Sequence, residues 1–281
     1  SLAAKAAPTT LPSGQTVPYG YGLGIADVRG RPGVGHGGGI FGFSTDSLYL
    51  PEQSLFVAVF ANSDEPTTPP GIVLRRLAAL ALEDPYPTFM AVAADPAALE
   101  PLFGVYRIAQ DQDRRFFARD GRLYTRRTGG SDSEVFAAGG DRFFYGPDSL
   151  NWFEVRRDAA GELMMEMHQL GADEAERAVR TGPIPPEAPA VALPRAMLER
   201  YVGGYRLGQA TLTIAMAENG ALTAQLGGQP ALSLRPASAT EFAVEGVDAR
   251  LVFAVEGETV TGVTLHQGGR QMAAARIPSG S

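Results

Sequence analysis

The sequence has no cysteine, one tryptophan and three histidines in 281 residues. Without cysteine, the chain forms no disulfide and no thiolate metal site, and it offers no cysteine nucleophile. It also lacks any uninterrupted apolar run of about 18 residues, so the sequence predicts no membrane-spanning segment. These absences leave the compartment unknown, because a cytoplasmic, periplasmic or secreted bacterial-type soluble protein fits all of them.

Basic residues are outnumbered, with 24 Lys and Arg against 31 Asp and Glu, for a formal net charge of -7. Binding to nucleic acid or to an anionic membrane surface needs a basic patch that replaces counterions. The sequence contains no run of Lys or Arg that would supply one. It therefore predicts neither nucleic acid nor a membrane as a partner.

The most unusual stretch is residues 33–44, GVGHGGGIFGFS, which places six glycines around His36. Glycine at this density weakens a strand, and it is usually tolerated where something approaches the backbone closely. A strand edge built from Gly37, Gly38 and Gly39 would expose backbone N–H groups to an extended substrate or to an oxyanion. No Lys-Ser/Thr pair and no helix follow, as a phosphate-binding loop would require. The stretch therefore predicts a substrate-facing edge strand.

The flanking residues predict strands and one helix. Residues 19–26 are strand-like, and residues 43–62 form a predicted hairpin around the turn signal Pro51-Glu52-Gln53. Residues 71–84 carry apolar side chains at helical spacing and predict a helix of about three turns. We expect these elements to bury too little apolar surface to be stable without a further partner.

Two connectors rich in Pro and Ala, residues 85–101 and 181–194, are typical of semi-rigid spacers. They divide the chain into predicted domains at residues 1–90, 91–185 and 186–281.

The second and third domains repeat each other at an offset of 99 residues. The anchors that recur include the pairs Gly104 and Gly203, Tyr106 and Tyr205, and Phe143 and Phe242. Each repeat reads as short alternating strands with turns such as Asp120-Gly121, Gly139-Gly140 and Asn219-Gly220. Closure into a barrel removes strand edges most completely, so the repeats predict two small antiparallel β-barrels.

The other two histidines, His168 and His266, occupy nearly equivalent positions of the two repeats. We interpret both as structural residues near strand ends. No histidine or carboxylate lies at metal-ligand spacing from His36, so the sequence predicts no metal and no cofactor.

The order of these features resembles the C-terminal part of the serine β-lactamase-like family, which includes class C β-lactamases, D,D-carboxypeptidases, D-aminopeptidases and esterases. His36-Gly37-Gly38 matches the family's third motif, the Lys-Thr-Gly or His-x-Gly triplet. The likeness covers roughly residues 11 to 84. The two barrels are similar to the lipocalin-like barrels that follow the catalytic domain in D-aminopeptidases.

The resemblance implies a mainly β, overall α+β chain: the end of a β-lactamase-like α/β domain followed by two lipocalin-like barrels. It implies that His36 positions substrate and tunes proton transfer, and that the N–H of Gly39 is an oxyanion donor. Gly37 and Gly38 would line the substrate strand. Histidine in place of lysine implies a small peptide, amide or ester substrate, of D-amino-acid type or an ester, in preference to a β-lactam.

The family's nucleophile motif Ser-x-x-Lys and its Tyr-x-Asn motif are both missing upstream of the triplet. Ser1 and Lys5 are one residue too far apart, and Ser149-Leu150-Asn151 follows the triplet instead of preceding it. We therefore expect a processed C-terminal portion of a serine hydrolase, inactive alone. Its partner would be the nucleophile-bearing N-terminal portion of the same enzyme.

Two alternatives stay open. The tandem barrels would form a non-catalytic binding module for a peptide or small apolar ligand, with Phe143, Tyr145, Trp152 and Phe153 lining a cavity or simply forming core. Alternatively, Ser1 would be an N-terminal nucleophile whose own amine acts as base.

Overall fold

The structure, a computed structural model, describes residues 7–186 and 191–278. Ser1 and Lys5 lie outside the described residues, as does part of the second connector. Within the described ranges the chain is mainly β, with a two-stranded sheet, a four-stranded sheet and two closed antiparallel barrels of eight strands each. The predicted pair of barrels is confirmed.

The strands and the helix that precede the barrels are β1 (Thr9–Thr10), β2 (Thr16–Val17), β3 (Gly24–Val28), β4 (Arg31–Ile40), β5 (Phe43–Leu50), β6 (Leu55–Ala61) and α1 (Pro70–Ala81). Strands β3 to β6 form an antiparallel sheet in chain order. The predicted hairpin and helix are confirmed, and α1 begins with a proline in its first turn, where no N–H partner is needed.

The first barrel consists of β7 (Gly104–Ala109), β8 (Gln112–Arg119), β9 (Arg122–Arg127), β10 (Asp132–Gly139), β11 (Arg142–Phe144), β12 (Trp152–Arg157), β13 (Leu163–His168) and β14 (Glu176–Gly182). The second consists of β15 (Gly203–Leu207), β16 (Ala210–Met216), β17 (Leu222–Leu226), β18 (Leu232–Pro236), β19 (Glu241–Val244), β20 (Ala249–Glu256), β21 (Thr259–Gln267) and β22 (Arg270–Arg276). Short helices α2 (Pro96–Leu99) and α3 (Arg195–Glu199) precede the two barrels, and 3₁₀ turns lie at Glu100–Leu102 and Gln169–Gly171.

The predicted strand at residues 19–26 is wrong in its first half. Strand β3 begins only at Gly24, and Tyr19 meets Gly24 in an isolated bridge. The backbone N–H of Gly20 donates to the carbonyl of Leu23, and Gly22 has a positive φ of 75°. A turn that needs a left-handed residue therefore interrupts the alternating pattern.

One face of the four-stranded sheet packs on α1. Val28, Leu48 and Leu50 from the sheet form a buried cluster with Leu74 and Ala78 of the helix. Residues two apart on a strand share a face, so this face also carries Leu55, Val57 and Val59 of β6, which pack against the same cluster.

The repeat of 99 residues encodes one end of each barrel. Tyr106 and Tyr205 are fully buried, and their hydroxyls donate to the carbonyls of Leu102 and Tyr201, four residues earlier in each case. Burial raises the pKa of each hydroxyl to about 12.

An arginine on the last strand of each barrel completes the same end. Arg180 donates to the carbonyl of Phe103, and Arg276 donates to the carbonyl of Val202. The repeated residues therefore close equivalent loops.

The barrel interiors are filled with side chains. Phe143 and Phe153 are fully buried, and their rings stack with centroids 5.0 Å apart. They are packing residues, whereas the ring of Trp152 lies against His168 with a centroid distance of 3.9 Å. Tyr145 is half-buried, with its ring centroid 6.3 Å from that of Phe153. These contacts favour the interpretation of the aromatic residues as core.

Spatial contacts divide the chain into two compact units, residues 1–95 with 135–177, and residues 96–134 with 178–281. The predicted domain boundaries at residues 90 and 185 stay predictions.

The first predicted connector, residues 85–101, is only partly a spacer. Val92 donates its N–H to the carbonyl of Ala137, at 2.9 Å, and Tyr86 is buried in the cluster beneath α1. Tyr86 also lies so close to Gly171 that a Cβ at that glycine would approach its ring within 2.5 Å. Proline and alanine composition alone did not reveal this packing.

Candidate functional site

The glycines of strand β4 divide into two groups by what surrounds them. A Cβ built at Gly33 would meet Leu50 Cδ2 at 2.6 Å, and one at Gly35 would meet the carbonyl oxygen of Ser47 at 2.1 Å. Neither position has room for a side chain. Packing in the sheet therefore explains the first half of the glycine-rich stretch.

The second half has room for side chains. A Cβ at Gly37 would meet nothing closer than 3.5 Å, and one at Gly39 nothing closer than 3.6 Å, both ordinary contacts. Neither residue has a positive φ. Of the three glycines, Gly38 has the least room, since a Cβ there would lie 3.1 Å from the hydroxyl oxygen of Thr45. Neither local packing nor backbone conformation accounts for glycine at positions 37 and 39.

The register of the sheet fixes the direction of the backbone amides. Antiparallel pairs alternate between hydrogen-bonded and non-hydrogen-bonded. The two-residue turn between Ile40 and Phe43 makes that pair hydrogen-bonded, so the pairs of Gly39 with Ser44 and of Gly37 with Asp46 are not. The N–H and C=O groups of Gly37 and Gly39 therefore point away from β5.

On the side to which those amides point, the sheet ends early. Pairing between β3 and β4 stops at Gly24 with Gly35. Within the described residues, β4 is paired from His36 onwards with β5 alone. The edge-strand geometry expected from the sequence is thus limited to the end of β4, where it leaves two amide groups open to an added ligand.

Gly35 and Gly37 lie on the face of the sheet that packs on α1, because Gly35 is paired with Leu48. His36 alternates with them and therefore lies on the opposite face. Its side chain is exposed, and its ring centroid is 6.3 Å from that of Tyr19. The carbonyl of His36 accepts a hydrogen bond from the hydroxyl of Ser47, at 3.1 Å, which ties the strand to β5 from the same face.

A cavity of about 270 Å³ adjoins this end of the sheet. Gly35, His36 and Gly37 line one side, and Gly71 and Arg75 of α1 line another. Gly35 and Gly37 send no side chain into this space between strand and helix. The cavity gives the candidate site a concave wall, as small-molecule sites usually have.

The candidate site brings together four of the predicted residues, His36 to Gly39, on one strand. His168 and His266 lie elsewhere: the Nδ1 of His168 is 2.7 Å from the carbonyl oxygen of Ala172, and His266 lies near the end of β21. In the part of the chain that is described, no three His, Asp or Glu side chains are grouped to hold a metal ion. No helix in that part is long and apolar enough to cross a membrane.

The sequence reasoning missed an apolar surface on the same face as His36. Phe56 and Phe60 of β6 are 64% and 79% exposed, and Ile40 and Phe43 at the β4–β5 turn are 74% and 51% exposed. The signal was present in strand β6, LFVAVFA, which is apolar at every position. Strands with apolar residues at every position are usually buried on both faces of their sheet.

No protein-family model matches the chain, and no curated protein matches it. Among solved structures, the chain is similar to the octameric penicillin-binding protein homologue from Pyrococcus abyssi, with 18% identity and a TM-score of 0.28 over 64% of this chain and 41% of that one. It is similar to SurE with D-Leu, with 23% identity and a TM-score of 0.27 over 58% and 38% of the two chains. A second SurE structure gives 16% identity and a TM-score of 0.22 over 98% and 42%. The chain spans about two fifths of the length of these structures.

Proposed function

We propose that this chain is the C-terminal portion of a β-lactamase-like serine hydrolase, and that β4 is the wall of its active site on which substrate lies. The observation that carries the proposal is the pair of open amides at Gly37 and Gly39, where glycine has no local packing reason. Gly39 supplies an oxyanion donor and Gly37 binds the substrate backbone, while Gly38, whose backbone groups pair with Thr45 of β5, keeps the substrate side of the strand free of a side chain.

In this proposal His36 projects from the same strand towards the reacting groups. It lies on the exposed face, so it is available to a nucleophile supplied from outside the described residues. A neutral imidazole accepts a proton and an imidazolium donates one, which suits a residue that tunes proton transfer during acyl-enzyme formation and breakdown. The substrate is a peptide, amide or ester, and the reaction is acyl transfer through serine.

The partner is the N-terminal portion of the same hydrolase, which bears the nucleophile. The exposed apolar side chains around His36 support this assignment. An exposed apolar patch marks an interaction surface. Phe56 and Phe60 on one strand, with Ile40 and Phe43 at the adjoining turn, form such a patch on the face that α1 leaves uncovered. A polypeptide packed on that face would also place its own residues beside His36.

The first test is the coding sequence immediately upstream of Ser1. We expect it to encode Ser-x-x-Lys followed by Tyr-x-Asn. The second test combines the chain with that upstream polypeptide and measures hydrolysis of D-alanine p-nitroanilide, p-nitrophenyl acetate and a chromogenic cephalosporin. We expect turnover of the anilide or the ester in preference to the cephalosporin, and none by the chain alone.

The sharpest variant is Gly39→Pro, because proline removes the N–H that points to the open side while breaking no bond to β5. We expect kcat of the combined protein to fall about 10²- to 10³-fold, as for loss of one oxyanion donor. Gly39→Ala is the matched control: it keeps the N–H, and its Cβ has room. Equal activity of the two variants, or hydrolysis by the chain without its partner, would contradict the proposal.

A further inference from the structure

The second compact unit contains a large cleft that the proposed hydrolase chemistry does not use. Its volume is about 1040 Å³, and it lies between strands β8 and β9 on one side and the outer surface of β18 to β22 on the other. Six arginines contribute to its lining: Arg115, Arg119, Arg126, Arg235, Arg250 and Arg270. This concentration of cations stands out in a chain whose net charge is -7.

The arginines are arranged in rows by the register of the strands. Arg115 on β8 lies directly opposite Arg126 on β9. Across the second barrel, Arg235, Ala243 and Arg250 are consecutive partners on β18, β19 and β20, and His266 follows on β21. Like charges directly opposite each other destabilise a sheet, so strand pairing itself does not favour Arg115 opposite Arg126.

Carboxylates offset the positive charge of the cleft arginines only in part. The lining includes Asp120, Glu245 and Asp248, and Asp248 is engaged: it accepts from the N–H of Gly129 at 2.9 Å and lies 3.8 Å from Arg115. Arg119 and Arg126 share Asp132, and Arg250 binds Glu241 at 2.7 Å. With these two outer carboxylates counted, six arginines face five carboxylates, so the cleft has a net charge of +1.

The base of the cleft is held by close backbone contacts. Asp132 donates its N–H to Gly246, Asp248 donates its N–H to Gly130, and the side-chain amide of Gln267 donates to Gly129. A Cβ at Gly129 would come within 2.6 Å of Gly268 Cα, so the two loops meet at van der Waals distance. These bonds fix the spacing of the arginine rows before any ligand binds, which lowers the entropic cost of binding.

We propose that this cleft binds an acidic peptide segment through its arginines. Guanidinium groups bind carboxylates in a bidentate manner, and Arg235 and Arg250, two strands apart, are separated by roughly 10 Å at the backbone. Glutamates three residues apart on a peptide in the polyproline II conformation lie on one face, about 9 Å apart, which matches this spacing. Asp120 and Glu245 would repel the continuous negative charge of a nucleic acid. The backbone N–H groups of a peptide, in contrast, would donate hydrogen bonds to these two carboxylates.

The test is fluorescence anisotropy of the 281-residue chain with labelled peptide Glu-Ser-Gly-Glu-Ser-Gly-Glu, against the same peptide with Gln for Glu. We expect saturable binding of the acidic peptide, at least tenfold tighter than the Gln peptide, and weakening between 0.05 and 0.5 M salt as exposed charges are screened. Absence of saturable binding at 0.05 M salt would overturn the proposal. So would equal or tighter binding of a single-stranded DNA 12-mer, since the site would then be a general polyanion surface.

Variants locate the site. Arg250→Glu and Arg270→Glu should each weaken binding of the acidic peptide about tenfold, because each replaces an attraction by a repulsion. Arg270 lies at the start of β22 in an exposed position, so its substitution keeps the test valid if Arg250→Glu impairs folding through Glu241. Arg206→Glu is the matched control, an exposed arginine of the same barrel outside the lining. Equal affinity for all three variants would place the peptide elsewhere and refute the proposal.

Discussion

The four-stranded sheet and the two barrels bury their apolar side chains in different ways. Each barrel closes on itself, and its inward residues, such as Phe143 in the first and Phe242 in the second, are fully buried. The sheet is covered by α1 on one face, whereas Phe56 and Phe60 remain exposed on the other. Closure makes a small β-structure self-sufficient, and an open sheet needs a second layer.

This difference also separates the glycines that local packing requires from those that it does not. Gly33 and Gly35 lie in the part of β4 that is paired on both sides, and the neighbouring strand leaves no space for a Cβ. Gly37 and Gly39 lie beyond the end of β3, where space is available. Within one strand, the boundary between the two groups of glycines coincides with the point at which the sheet loses a strand.

The largest effects are expected in the barrel cores. Phe143→Ala and Phe242→Ala should each lower the free energy of unfolding by about 3 to 5 kcal/mol, because each leaves a cavity in a filled interior. Urea denaturation followed by near-ultraviolet circular dichroism measures the change. Phe41→Ala, at a residue that is 98% exposed, is the control and should change stability by less than about 0.5 kcal/mol. Losses below about 1 kcal/mol at both core positions would mean that the barrels are not tightly filled.

The next largest effect compares two glycines of β4. Gly35→Ala places a Cβ against the Ser47 backbone and should cost about 1 to 3 kcal/mol through forced backbone movement. Gly37→Ala meets only ordinary contacts and should leave stability within about 0.5 kcal/mol. Urea midpoints of the two variants, measured side by side, provide the comparison. A destabilisation by Gly37→Ala equal to that of Gly35→Ala would restore a purely structural explanation of the glycine run.

An effect of similar size tests the equivalence of the two repeats. Tyr106→Phe and Tyr205→Phe each leave a carbonyl without its buried hydroxyl partner and should cost about 1 to 3 kcal/mol. Tyr21→Phe, at an exposed tyrosine, is the control. Thermal unfolding of the three variants decides the matter. If only one of the two buried positions responds, the repeats share a sequence pattern but not an energetic role.

The sequence predicted the barrels because their anchors are set by local rules. Phe143 and Phe242 recur at a fixed offset, and Asp120-Gly121 and Asn219-Gly220 are dipeptides that signal a hairpin turn. The hydrolase family and the roles of His36 and Gly39 stay predictions. The direction of the Gly39 amide followed from register and from where β3 ends, which no local pattern contains.

Two surfaces escaped prediction for the same reason. The cleft arginines come from strands far apart in the sequence, so nothing in a short window groups Arg115 with Arg250. The sequence predicts Phe60 within a hairpin, which is confirmed, but its exposure depends on what covers the sheet. Tyr19 was misplaced because the turn at Gly22 interrupts an alternating run. Long-range assembly decides the two surfaces, whereas the error at Tyr19 comes from a local turn.

A pH-dependent effect is expected at the edge of the sheet, where Asp84 receives hydrogen bonds from Arg31 at 2.6 Å and from Arg29 at 3.0 Å. These hydrogen bonds, that of Arg31 first, hold the pKa of Asp84 below its usual range. The carboxylate therefore contributes stability above its unfolded pKa of about 3.9, and this contribution is lost as the pH falls through the lower folded pKa.

Asp84→Asn should accordingly lower Tm at pH 7, and its difference from the wild type should shrink as the pH falls below about 4. Calorimetry between neutral and acid pH measures both quantities. Glu52→Gln, in the exposed turn before β6, should show neither change. A difference in Tm that stays constant down to the acid limit would mean that the charge of Asp84 contributes nothing and that its substitution acts through packing.

The smallest effect on stability is expected on the open face of the sheet. Phe60→Ser should change the free energy of unfolding by less than about 0.5 kcal/mol, because the ring is 79% exposed, while lowering the fluorescence of a bound hydrophobic dye. Its neighbour Val59 packs towards α1, so Val59→Ser is the matched control and should cost more than about 1 kcal/mol with little change in dye binding. If Phe60→Ser destabilises the chain as much as Val59→Ser, the face is already covered within this chain. The sheet would then resemble the barrels in being complete.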